Sequence, residues 1–185
     1  MKILKIIGVV VLVIVVLFLS VVAFQPAKGH IERSIVINAP PSAVFVQVNS
    51  FKTFKDWSPW AKMDPDATYT FEGPPSGQGC KMSWSGKKTG KGSQWIAESE
   101  ENKRVKSGLS FEGFDGTAFA EFTLSPEGSG TKLSWTYDGD NSGLGGKAMW
   151  MFMKPMLGGQ YDQGLNDLKK LIESSPMPTD TTTQK

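Results

Sequence analysis

The chain has 185 residues, enough for one domain of ordinary size once an N-terminal apolar segment is set aside. Its formal charge is +2, but two of the 20 basic residues, Lys2 and Lys5, precede that segment, which leaves the remainder balanced against 18 acidic residues. A balanced domain carries no electrostatic footprint for nucleic acid, and a single cysteine, Cys80, excludes both an intramolecular disulfide and a cysteine zinc site.

Residues 6–24 contain no charge and are dominated by Val, Ile and Leu. At about 1.5 Å per residue the run spans roughly 28 Å, close to a bilayer's hydrocarbon core. Lys2 and Lys5 directly before it favour a cytoplasmic N-terminus. The run exceeds the usual apolar region of a signal peptide, although Val21-Val22-Ala23 resembles a small-residue cleavage site. Residues 1–25 are therefore expected to be an uncleaved anchor, with a cleaved signal peptide as the competing reading. Either one places the rest of the chain outside the cytoplasm. Residues 26–29, with Pro26 and Gly29, form a short linker that keeps an anchored domain close to the bilayer.

The folded domain is expected over residues 30–174. Residues 30–38 alternate, with Ile31, Ile35 and Ile37 on one side, and read as a first strand at a sheet edge. Ala39-Pro40-Pro41-Ser42 ends it. A short helix with Phe45 on its apolar side comes next, then Phe51, Phe54 and Trp57 at helical spacing, and Ser58-Pro59-Trp60 turns the chain. Strands are then expected near 68–72, 79–84, 92–98, 104–113, 117–124 and 132–137. The segments between them are short and rich in Gly, Pro and Asn, so the order is an antiparallel meander. Asp115-Gly116 suits a two-residue type I′ turn, which pairs Phe111 with Ala120 and Leu109 with Phe122. That register places Leu109, Phe111, Ala118, Ala120, Phe122 and Leu124 on one face, and Glu112 and Glu121 on the other.

After a Gly-rich loop and a Met-rich run, Leu157, Tyr161, Leu165, Leu168 and Ile172 recur every three or four residues. They form the apolar face of a helix over 157–172, with Gly158 and Gly159 expected to break or bend its start. It is the long amphipathic element available to cover the sheet. Residues 175–185 are rich in Thr, Pro and Ser and read as a disordered tail.

This order resembles the helix-grip fold of the START-related and birch-pollen-allergen-like superfamily. Within it, the chain is similar to membrane-anchored bacterial proteins of the SRPBCC, or polyketide cyclase/dehydrase-like, family. The resemblance rests on residues 35–45 with Asn38-Ala39-Pro40-Pro41, Trp57-Ser58-Pro59-Trp60, residues 77–84, Gly90-Lys91-Gly92, residues 130–135 and residues 164–169. It implies an α+β fold, a curved antiparallel sheet of about seven strands wrapped around the C-terminal helix. Two short helices succeed strand 1, and an apolar cavity commonly separates sheet from helix. Function transfers poorly across such a fold, whose members include lipid carriers, cyclases and hydrolases.

Met149, Met153 and Met156, with Trp150 and Phe152, form a flexible, polarizable cluster suited to lining a ligand site, filling a core or touching a membrane. Trp57, Trp60, Trp84 and Trp135 resemble family positions; structural packing is the expected role of each, with cavity lining and N–H groups reaching polar partners as the alternative. The residues expected to line the cavity are Trp60, Trp84, Leu109, Phe111, Phe122, Trp135, Met149, Phe152, Met153 and Tyr161. Gly86-Lys87-Lys88-Thr89-Gly90-Lys91 lacks the spacing and the succeeding helix of a phosphate loop. The sole histidine, His30, lies beside the linker, which argues against a Ser–His–acid triad or a multi-histidine metal site. Glu72, Glu112, Glu121 and Asp138 remain as acid/base candidates and read as surface charges. No cofactor, metal or nucleic acid is expected.

The sequence thus points to a single-pass cell-membrane protein with its N-terminus cytoplasmic and its domain extracytoplasmic, periplasmic or on the outer face. That domain is expected to bind a hydrophobic small molecule or lipid. The alternatives are a cyclase/dehydratase-like enzyme and a non-catalytic envelope interaction module with a filled core.

Overall fold

The computed structural model describes residues 2–114 and 116–174; the tail expected over 175–185 and Asp115 of the expected turn lie outside the described residues. Helix α1 (Lys2–Ala23) is followed by strand β1 (Lys28–Ile37) and three short helices, α2 (Pro41–Val48), α3 (Phe51–Trp57) and α4 (Pro59–Met63). Prolines at the first turns of α2 and α4 occupy positions whose N–H would have no partner in any case. The Ser58-Pro59 corner thus starts a helical turn rather than a simple bend. At α3 the Ser50 side chain caps the helix by accepting the Lys52 N–H.

Strands β2 (Thr68–Glu72), β3 (Lys81–Gly86), β4 (Gly90–Glu100), β5 (Arg104–Phe111), β6 (Ala118–Glu127) and β7 (Gly130–Asp140) form the meander. Together with β1 they make one seven-stranded antiparallel sheet in the order β1-β7-β6-β5-β4-β3-β2, with β1 at an edge against β7. The β5–β6 register differs from the expectation: Leu109 pairs with Ala118, Ser107 with Ala120 and Val105 with Phe122. The connection is wider than a two-residue turn, with Gly113 and Gly116 both at positive φ. Because the displacement is an even number of residues, each side chain keeps its face.

Helix α5 (Gly143–Ser174) covers the concave face. It begins at Gly143 rather than at Leu157 and runs through Pro155, Gly158 and Gly159, so the Met-rich run is its first half. Pro155 removes one backbone donor and Gly lowers helix propensity, yet packing overrides both. Tyr161, Leu165, Leu168 and Ile172 are buried along one side, as their spacing predicts. At the far end Glu173 accepts the Asn38 N–H (2.8 Å) and the Lys169 ammonium donates to the Val36 carbonyl (2.5 Å). The 32 residues of α5 extend about 48 Å, longer than any strand, so its first turns project beyond the sheet.

The space between helix and sheet is filled at one end only. Ile37, Val44, Ile96, Val105, Leu124, Leu133, Leu165 and Leu168 are all buried there in a single cluster. Next comes an aromatic layer around Trp135, which meets Phe122 (ring centroids 4.8 Å apart), Trp57 (5.6 Å), Trp60 (5.8 Å) and Tyr161 (3.9 Å). Beyond that layer the interior opens.

Candidate ligand cavity

A cavity of about 440 Å³ occupies the other end of the grip. Its walls are the first half of α5, helix α4, the beginnings of β2 and β6, the ends of β5 and β7, and parts of β3 and β4. The hollow arises from side-chain size along each strand. On β6 the inward residues are Ala118 and Ala120 at the open end, then Phe122 and Leu124 at the filled end. On β7 the open end carries Tyr137 and Gly139, the filled end Leu133 and Trp135. Small residues near the rim leave a volume that the helix does not descend to fill.

Of the residues expected to line this space, the structure brings Trp60, Trp84, Leu109, Phe111, Trp135, Met149, Met153 and Tyr161 to the wall. Phe122 is not among them. It is buried beneath the floor against Trp57 and Trp135. Phe152 points out of the domain and is 66% exposed. Additional wall residues include Phe54, Tyr69, Met82, Gln94, Tyr137, Trp150, Met156, Leu157 and Gln160. Tyr137 was detectable, since it continues the Leu133-Trp135 alternation.

All three tyrosines of the chain, Tyr69, Tyr137 and Tyr161, lie in this wall. Burial pushes the Tyr161 hydroxyl far up, and its neighbours Tyr137 and Asp138 add to the shift. Burial raises Tyr137 as well, and burial with the Asp64 charge raises Tyr69. Each phenol therefore stays protonated at neutral pH and offers a hydroxyl rather than a charge. Among the tryptophans, Trp84 donates to the Thr89 carbonyl (3.3 Å). The indole nitrogens of Trp57 and Trp135 are buried without an acceptor among the described residues, a cost of about 1–3 kcal/mol each.

The rim is held by Asp64 at the end of α4. Its carboxylate accepts the Lys88 N–H (2.7 Å), the Thr89 N–H (3.1 Å) and the Thr89 hydroxyl (3.2 Å), tying the β3–β4 turn to the helices. Those backbone donors, Lys88 first, hold its carboxyl below the ordinary value of 3.8. Gly86 is required beneath it, because a Cβ there would lie 2.2 Å from the carboxylate. The lysine-rich loop thus serves as a turn that Asp64 organises.

The acid/base candidates lie elsewhere. Glu72 pairs with Lys81 (3.3 Å), Glu112 with Lys91 (3.3 Å), Glu121 with Arg104 (3.1 Å) and Asp138 with His30 (2.7 Å), and none of these residues contributes to the cavity wall. Among the described residues no group of three or more His, Cys, Asp or Glu converges on a point that could hold a metal ion.

Comparison with known proteins agrees with this geometry. Residues 28–173 match the profile of a family described as polyketide cyclase / dehydrase and lipid transport. No curated protein matches the chain. Among solved structures, protein CV1439 from Chromobacterium violaceum superposes with a TM-score of 0.58 at 19% identity, covering 80% of this chain and 99% of that one. Protein MLL2253 from Mesorhizobium loti gives 0.60 at 16% identity, covering 78% and 97%. The Aha1 dimer from Colwellia psychrerythraea gives 0.59 at 17% identity, covering 79% and 97%. At these identities the likeness is one of fold.

Proposed function

Because the chain belongs to the polyketide cyclase / dehydrase and lipid transport family, we propose that its domain holds a hydrophobic small molecule or lipid non-covalently between sheet and helix. The observation that carries this reading is the cavity itself. Its volume of about 440 Å³ falls in the range of small-molecule sites, and aromatic and methionine side chains dominate its wall. The hydroxyls of Tyr69, Tyr137 and Tyr161 and the amide of Gln94 supply a few neutral polar groups, suited to a carbonyl or hydroxyl on an otherwise apolar molecule. A cyclase or dehydratase would need a proton donor or acceptor facing the cavity. Burial holds the phenols protonated, and the carboxylate in the wall, Asp140, accepts the Ser142 hydroxyl and N–H, which hold its carboxyl below the ordinary value.

Helix α1 has 22 residues, and an 18-residue stretch of it has a mean hydropathy of 3.4, so it is long and apolar enough to cross a membrane. In this reading α1 is an uncleaved anchor with Lys2 and Lys5 on the cytoplasmic side, and the linker is residues 24–27, because Lys28 and Gly29, expected in it, already pair with β7; residues 28–174 form an extracytoplasmic binding domain.

Native mass spectrometry of the full chain, purified from membranes in a lipid-free detergent, tests the binding reading. A stoichiometric added mass that organic extraction removes is the expected result. A bare polypeptide mass that takes up no fluorescent fatty acid would overturn it.

A further inference from the structure

The open end of the grip and the end of α1 lie together. Strand β1 starts at Lys28, opposite Asp140 at the end of β7, and the remaining strands place the β3–β4 and β5–β6 connections at that same end of the sheet. The last turn of α1 is docked there. Val22 is buried, the Lys147 ammonium donates to the Ala23 carbonyl (2.8 Å), and the Asn141 N–H donates to the Ala27 carbonyl (2.7 Å). Four residues, Phe24 to Ala27, separate α1 from β1, a reach of at most about 14 Å. The projecting first turns of α5 therefore lie level with the final turn of the apolar helix.

Exposed apolar side chains gather at this end. Phe114 in the β5–β6 connection is 56% exposed, and on α5 Leu144, Phe152 and Met156 are 55%, 66% and 58% exposed. Phe114 and Met156 also belong to the cavity wall, so the apolar rim is continuous with the interior. Elsewhere on the domain, exposed large apolar residues include Val46 on α2 and Val36 on β1, and scattered exposure of that kind is ordinary for a protein surface. A cluster at the mouth of an apolar cavity marks an interaction surface.

We propose that this rim is a membrane-contact surface: Phe114, Leu144, Phe152 and Met156 enter the leaflet from which α1 emerges, so that the cavity opens onto lipid rather than onto water. The proposal rests on α1 crossing the bilayer. The partner is the bilayer itself, because α1 brings these residues to the interface whenever it spans. Burying them there removes apolar area from water in the manner of an interfacial helix. Lys147, bonded to the carbonyl at the end of α1, then keeps its charge at headgroup level. A ligand then passes between leaflet and cavity without crossing water.

The test uses the full chain carrying Cys80→Ala, reconstituted in liposomes of phosphatidylethanolamine and phosphatidylglycerol doped with nitroxide-labelled lipid. A bimane is placed at Phe114→Cys, at Phe152→Cys, or at Val46→Cys as an exposed apolar control at the opposite end. The expected result is severalfold stronger quenching at 114 and 152 than at 46. Quenching at 114 and 152 no greater than at 46 overturns the proposal, whether or not a ligand copurifies. Release of the chain from the liposomes by alkaline carbonate shows that α1 does not span, and overturns both the anchor reading and this one. Loss of ligand binding with rim quenching retained overturns only the carrier reading.

Discussion

Tyr161 on α5 stacks on Trp135 of β7 with ring centroids 3.9 Å apart and planes inclined by 17°. The pair fastens helix to sheet at the boundary between the filled and the hollow halves of the grip. Replacing Tyr161 with Ala removes the upper ring and enlarges the cavity through its floor. A loss of about 3–5 kcal/mol is expected, measured by urea unfolding of the full chain in detergent with tryptophan fluorescence as the signal. Tyr161→Phe keeps the stack, and its expected cost is under about 1.5 kcal/mol. A comparable loss for both variants would mean that the hydroxyl, not the ring, holds the boundary.

Two glycines of α5 predict opposite signs for the same substitution. Helix propensity favours Ala over Gly by about 1 kcal/mol. At Gly159 a Cβ meets open space, so Gly159→Ala is expected to raise stability by about 0.5–1 kcal/mol. At Gly164 it would lie 3.0 Å from the Trp135 ring and 3.1 Å from the Pro59 ring. Neither ring yields easily, so overpacking wins and Gly164→Ala is expected to lose about 1–3 kcal/mol. Unfolding midpoints of the two variants, measured side by side, check the contrast.

Filling the hollow separates binding from folding. Ala118→Phe places a ring in the cavity where the strand carries a small residue. Ligand uptake, read by native mass spectrometry, is expected to fall at least about tenfold, since the lost volume cannot be recovered by repacking. The unfolding midpoint should hold or rise. Binding that survives this change would move the ligand to another part of the wall.

Asp64 gives the rim a pH dependence of defined sign. Its folded carboxyl lies below its unfolded value near 3.8, so its contribution is complete above that value and is lost as pH falls through the folded one. Asp64→Asn is therefore expected to speed amide exchange at Lys88 and Thr89 at neutral pH. The difference from the parent chain should shrink as the solution becomes more acidic than pH 3.8. A difference that persists unchanged into acid would show that charge at Asp64 plays no part.

Legibility in the sequence tracks the range of each interaction. The buried face of α5 was legible because Tyr161, Leu165, Leu168 and Ile172 carry a local period. Its first half was hidden because Pro155, Gly158 and Gly159 look like breakers until the sheet that holds them is known. Strand facing was legible from alternation and survived the displaced β5–β6 pairing. Membership of the cavity was harder, since facing inward does not tell which end of a strand lies over empty space. Phe122 faces inward as expected but belongs to the filled end. The telling signal was residue size, Ala118 and Ala120 ahead of Phe122 and Leu124, read across strands rather than along one. Phe152 shares its stretch of helix with the wall methionines, although its own direction points away.

Helix α5 is a beam held at both ends with its weakest point between them. Its last turns are clamped by Glu173 and Lys169 to the edge of β1, and Tyr161 is pinned by Trp135. Just before that pin lie Pro155, Gly158 and Gly159, where the helix ladder lacks a donor and resists bending least. The other end is held as well, by the Lys147 bond to the Ala23 carbonyl and the stack of Trp150 on Tyr137, so flexure at that point would couple the width of the hollow to the tilt of the apolar helix.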